Sequence, residues 1–222
     1  MSRFIDPIGQ FLILGGPVVW LLLLMSCTAL TLFLLKLWQL TTLSRSNKGQ
    51  LGMAIQAWKR QDQQQAISLL NNKHPFDRIA GQAMRALMHS PERGAQIRED
   101  CERQALGLLA QLRQYLRPME VIANLSPLLG LLGTVLGMVV AFQQMEAAGS
   151  QVDPSVLSGG IWQALLTTAV GIAVAIPVIS MHSWLESKVE QISHQLNDAL
   201  TQVFTGFQAT HGQQGQQNRH AA

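Results

Sequence analysis

Two sets of small residues, each interrupted by a threonine, are the places where this sequence could do chemistry. Gly130, Thr134, Gly137 and Ala141 are spaced four, three and four, and Ala164, Thr168, Gly171 and Ala175 repeat that spacing. Each set therefore lies on one face of a helix. Such a face has two uses. Small residues let helices approach closely in lipid, where packing replaces the hydrophobic drive, and Gly133 with Gly137 adds a GxxxG pair to the first set. The faces can instead line a narrow interior with hydroxyls when several copies assemble. A threonine can also satisfy itself on a carbonyl of its own helix. The spacing alone leaves packing seam and polar lining open.

The elements that carry these faces are apolar on a scale that soluble domains do not reach. Of the 222 residues 48% are hydrophobic and 13% charged. Pro7 to Leu35, Val121 to Met145 and Pro154 to Leu185 contain no Asp, Glu, Lys or Arg. Each exceeds the ~20 residues that cross a ~30 Å hydrocarbon layer as a helix. Three transmembrane helices follow. The first is too long for a removable leader, and no small-residue cleavage site follows it. Counted from the ends of their stretches, Thr134 and Thr168 both come near mid-depth, although their helices run in opposite directions.

Orientation follows from charge. Thirteen of the 16 Lys and Arg residues lie between Lys36 and Arg117, and none lies between Glu146 and Asp153. Positive residues hold a segment inside, so the long middle region is expected in the cytoplasm. The same asymmetry accounts for a pI near 9.2 without nucleic acid. The resulting expectation is an all-α integral membrane protein in which the second and third transmembrane helices extend into a cytoplasmic helical bundle. Residues 1–8 lie outside, 9–35 form the first span, and 36–120 form a cytoplasmic helical region. The second span takes 121–145, a short outer loop 146–155, and the third span 156–183. A cytoplasmic extension covers 184–211, and a polar disordered tail covers 212–222.

Within the middle region, Ala54-Ile55 through Leu69-Leu70 reads as one amphipathic helix, ended by Asn71 to Pro75. Ser90-Pro91-Glu92 reads as a capped helix start. Apolar positions Ile97, Cys101, Leu108, Leu112 and Tyr115 then keep helical spacing up to the second span. Leu185, Val189, Ile192, Leu196 and Val203 continue the third in the same way. Pro127 and Pro177 are expected to kink their helices.

Little else could react. No span carries an ionisable acid or base apart from His182 near an inner end, so this chain cannot pass protons through the membrane on its own side chains. Glu186, Glu190 and His194 share a helix face and read as solvated charge. No nucleophile elbow, HExxH or ligand cluster points to an enzyme, a metal or a cofactor. Cys27 and Cys101 fall in different environments and imply no disulfide framework.

Leu125-Ser126-Pro127-Leu128-Leu129-Gly130-Leu131-Leu132-Gly133-Thr134-Val135 and Gln163-Ala164-Leu165-Leu166-Thr167-Thr168-Ala169-Val170-Gly171-Ile172-Ala173-Val174-Ala175-Ile176-Pro177 closely resemble the ExbB, TolQ and MotA family of proton-driven motor subunits. The resemblance covers all three spans and the order of domains, and three spans rather than four favour the ExbB or TolQ branches, with ExbB the nearer in texture. It implies a pentamer around a dimer of a single-span ExbD-like partner whose membrane Asp carries the proton, energising a TonB-like transducer from the bacterial inner membrane. It places Thr134 and Thr168 on the proton pathway, with Thr167 and Gln163 beside them. The family often has Glu where Gln163 stands, and glutamine keeps hydrogen bonding without titrating. A TolQ-like role in envelope maintenance, or a non-conducting scaffold, is the alternative.

Overall fold

The computed structural model describes residues 16–44, 48–70, 74–148 and 154–220. The outer N-terminal residues, the start of the first span and half of the short outer loop lie outside them. Among the described residues every regular element is helical. The helices are α1 Gly16–Ser44, α2 Lys48–Lys59, α3 Gln63–Ser68, α4 Pro75–His89, α5 Gly94–Arg113, α6 Leu116–Ala148 and α7 Pro154–His220, with a 3₁₀ turn at Pro91–Arg93 before α5. Three stretches are long and apolar enough to cross a membrane: Gly16–Thr41, and the parts of Pro91–Ala147 and Ser158–Phe207 that hold the two small-residue faces. The chain is therefore all-α with three candidate membrane helices, as the sequence indicates.

Contacts divide the chain into two units. The first joins Met1–Lys36 to Tyr115–Leu185, and the second joins Leu37–Gln114 to Glu186–Ala222. In the first unit α1 leans on α6 and α7 through Ala29, which is buried with Ile122, Ala123 and Val178. The Phe33 and Trp184 rings meet edge to face at 6.2 Å. Lys36, only 1% exposed, places Nζ 5.2 Å from the centre of the Tyr115 ring, so its charge rests on an aromatic face while its stem packs. Trp38 and Trp162 stay mostly exposed, as anchors in an interface would. Pro127 and Pro177 sit inside α6 and α7, each withdrawing the N–H that the carbonyl four residues earlier would have met.

The second unit is a bundle around Trp58, Ile79, Met84, Leu87, Cys101, Leu196, Val203 and Phe204. Val189, Leu196 and Val203 of the stripe on α7 are buried here, which explains why apolar spacing persists beyond the third span. Trp58 Nε1 donates to the Val203 carbonyl at 3.0 Å and fastens α2 to α7. Two local readings need correction. The single helix expected from Ala54 to Leu70 is two: Gln61 adopts φ 67°, and Asp62 caps the restart by accepting from the Gln65 N–H at 3.1 Å. Polar Arg60-Gln61-Asp62 interrupts the helix without glycine or proline, so no breaker announces it. Ser90 precedes Pro91 as expected but makes no side-chain cap bond, and the chain first forms the 3₁₀ turn. The sequence also gives no separate notice of α4, whose Ile79, Ala83, Met84 and Leu87 all turn inward.

Candidate functional site

The two small-residue faces meet each other within one chain. The missing side chains show how closely. A Cβ built on Gly171 would stand 2.6 Å from the Ser126 carbonyl oxygen and 2.9 Å from the Gly130 Cα. One on Gly133 would stand 2.6 Å from Thr167 Oγ1, one on Gly137 3.0 Å from the Ala164 Cβ, and one on Gly160 2.5 Å from the Ala141 Cβ. Contacts under 3 Å do not exist between real Cβ atoms and main chain, so glycine alone lets α6 and α7 lie backbone against backbone. Ala141, Ala164 and Ala175 are each 2% exposed or less.

This register explains which residues the spacing found and which it missed. Gly130, Gly133, Gly137, Ala141, Ala164 and Gly171 all fall on the seam. Gly160 and Ser126 also fall there and were not singled out. Gly160 lies one helical turn before Ala164, so extending the four-residue step backwards would have found it. Ser126 enters through its main-chain oxygen, which no side-chain pattern reports.

The hydroxyls divide by position. Thr167, 3% exposed, lies inside the seam, donating to the Ala164 carbonyl at 2.7 Å with the Gly130 carbonyl 3.4 Å away. Thr168 is half-buried and donates across the seam to that same Gly130 carbonyl at 3.0 Å. Thr134 is half-buried on α6 and donates within its own helix to the Leu131 carbonyl at 2.6 Å. With Gly133 against Thr167 and Gly137 against Ala164, Thr134 comes opposite Leu166, about 3 Å of helix rise from Thr168. Gln163 is half-buried a further turn and more along α7, about 7.5 Å of rise from Thr168. Its Nε2 would lie 3.9 Å from a Cβ on Gly16, which holds φ +63° at the start of α1. The charged face on α7 is open to solvent, with His194 Nε2 3.9 Å from Glu190 Oε1.

The arrangement can pack tightly, present hydroxyl oxygens at one depth and supply no ionisable group there. Comparison with known proteins points the same way. Over 194 residues the chain is 32% identical to the biopolymer transport protein ExbB1 of Vibrio cholerae, covering 82% of each. It is 38% identical over 84 residues to the biopolymer transport protein ExbB of Helicobacter pylori, 38% of this chain and 57% of that one. It is 31% identical over 87 residues to the Tol-Pal system protein TolQ of Haemophilus influenzae, 39% of this chain and 38% of the other. Residues 71–198, which hold both small-residue faces, match the MotA/TolQ/ExbB proton channel family, and the chain belongs to that family, with its strongest likeness to ExbB.

Proposed function

We propose that this chain is the ExbB-like subunit of an inner-membrane motor that draws on the proton motive force to energise a TonB-like transducer for transport across the outer membrane. Several copies, five on the family resemblance, surround a dimer of a single-span ExbD-like protein whose membrane Asp takes the proton. The N-terminus faces the periplasm, and the basic middle region and the C-terminus face the cytoplasm. The observation that carries the reading is the pair Thr134 and Thr168, about 3 Å apart in depth on a wall with no titratable side chain of its own.

The physical logic is division of labour. A charged Asp at mid-membrane costs about 2.5–3.5 kcal/mol on insertion scales, so it favours a protonated state or a hydroxyl neighbour. Each proton moved through 100 mV releases about 2.3 kcal/mol, enough to bias a partner helix between two walls. Gln163, nearer the outer end of its span, supplies an amide at the mouth. Pro127 and Pro177 both interrupt their helices on the cytoplasmic side of the threonine level, one before Thr134 and the other after Thr168.

A direct test uses the complex expressed with its native genomic neighbours. Native mass spectrometry is expected to find several copies bound to a smaller single-span protein with a membrane Asp. Thr168→Val is then expected to abolish proton-driven activity while the complex still assembles, and Thr168→Ser to retain it. Normal activity in Thr168→Val removes the threonine from the pathway. The likeness to TolQ supports a second reading, in which the same machine serves envelope maintenance. Recovery of this chain alone would favour a non-conducting scaffold.

A further inference from the structure

Between Leu125 and Phe142 of α6 and between Ala164 and Val178 of α7, four side chains can donate a hydrogen bond: Ser126, Thr134, Thr167 and Thr168. All four donate to main-chain carbonyls. Ser126 reaches the Ile122 oxygen at 2.7 Å, Thr134 the Leu131 oxygen at 2.6 Å, Thr167 the Ala164 oxygen at 2.7 Å, and Thr168 the Gly130 oxygen at 3.0 Å. A carbonyl oxygen only accepts, so in each pair the proton must come from the hydroxyl. Ser126 and Thr167 are enclosed in the seam, whereas Thr134 and Thr168 keep part of their surface open. What these two offer outward is the remaining lone pairs of an oxygen whose hydrogen is already committed inward.

We infer that this level of the wall accepts hydrogen bonds and does not donate them, so it holds the partner's membrane carboxyl group in its protonated form and leaves the ionised form unsolvated. The inference rests on the motor reading and goes beyond it by assigning the direction of the bond. A carboxylic acid O–H finds an acceptor at Thr168 or Thr134. A carboxylate finds no uncommitted hydroxyl donor on these two faces and no cation: neither stretch contains Asp, Glu, Lys, Arg or His, the titratable groups of α1 in its described residues are Cys27 and Lys36, and its Thr28 and Thr31 hydroxyls donate to the Leu24 and Cys27 carbonyls at 2.8 Å. The proton is therefore retained through the middle of the passage and surrendered at another depth. Beyond Thr167, whose hydroxyl is committed to the Ala164 carbonyl, the amide N–H groups of Gln163, about 7.5 Å of rise away, are the nearest side-chain donors along α7 toward its N-terminal end.

Infrared difference titration of the assembled complex tests this, because a protonated carboxyl has its own C=O stretch and that stretch rises in frequency when the acid loses its hydrogen-bond acceptor. The wild-type complex is expected to keep the band at neutral pH. Thr168→Val is expected to keep it as well but at higher frequency, and Thr168→Ser to restore the original position. A wild-type carboxyl that is ionised at neutral pH overturns the inference, as does a band that Thr168→Val leaves in place, or a Thr168→Val variant whose only effect is to raise the titration midpoint tenfold in proton concentration or more. The last result would mean that the hydroxyl donates to a carboxylate. Each of these failures leaves the motor reading standing. A complex that contains no acid-bearing partner, and so shows no such band, removes the motor reading and the inference together.

Discussion

At Gly133 and Gly171 a single methyl group decides whether two helices can touch. A Cβ at Gly171 meets main-chain atoms that cannot rotate away, so Gly171→Ala is expected to destabilise the membrane unit by about 1–3 kcal/mol, the range for overpacking. Gly107, on an exposed position of α5 with nothing within 4 Å of its would-be Cβ, is the contrast. Gly107→Ala is expected to stabilise by about 1 kcal/mol through helix propensity. Thermal unfolding of the purified variants in detergent reads both. Cys101 is 3% exposed, and burial together with the charges of Asp100 and Glu102 pushes its thiol from 9.0 up to about 11. A folded value above the unfolded one adds stability that is complete below pH 9 and disappears as pH rises through 11. Alkylation of the folded protein at neutral pH is thus expected to be slow, and the alkaline loss of stability to be smaller in Cys101→Ala. The spacing of Gly130, Thr134, Gly137 and Ala141 against Ala164, Thr168 and Gly171 made this level legible before any coordinates, because helical periodicity fixes a face. It did not say that the faces meet each other, since that depends on the register between two helices.

At the scale of the element, α2 shows what periodicity can and cannot tell. Its apolar Ala54, Ile55 and Trp58 were visible as a stripe, but the stop at Gln61 was not, because a left-handed glutamine is held by the bonds around it rather than by its own preference. Trp58 depends on α7, which lies far away in sequence. Its indole N–H is buried on the Val203 carbonyl, and Trp58→Phe keeps most of the ring while leaving that oxygen short of one donor. The expected cost is about 1–3 kcal/mol, measured as earlier protease cleavage around 59–62 than in the parent protein. Helix α7 was legible as a stripe running past its span. Its partners α4 and α5 were only implied, because a stripe shows that something packs on it and not what.

For the molecule as a whole, composition alone separated the three apolar stretches from the rest, since few soluble cores can bury helices of that length. Sidedness rests on where lysine and arginine lie. Ala148→Cys, at the end of α6, is expected to react with a membrane-impermeant thiol reagent in cells with a permeable outer membrane. Gly49→Cys, in α2, is expected to react only after the inner membrane is opened. The opposite pattern would invert the proposed orientation and with it the proposed direction of proton flow.

The joint between α6 and α7 also has a mechanical character. It is built largely from glycine and alanine, which have no side-chain rotamers, so closing it freezes no rotors and leaves none to slip once it is closed. Torque delivered to one helix passes to the other through main chain rather than through bendable side chains. In the motor proposed above, a part that holds still while something turns against it would gain stiffness from such a hinge-free weld, and the compliance of that complex would then reside between subunits rather than within this pair of helices.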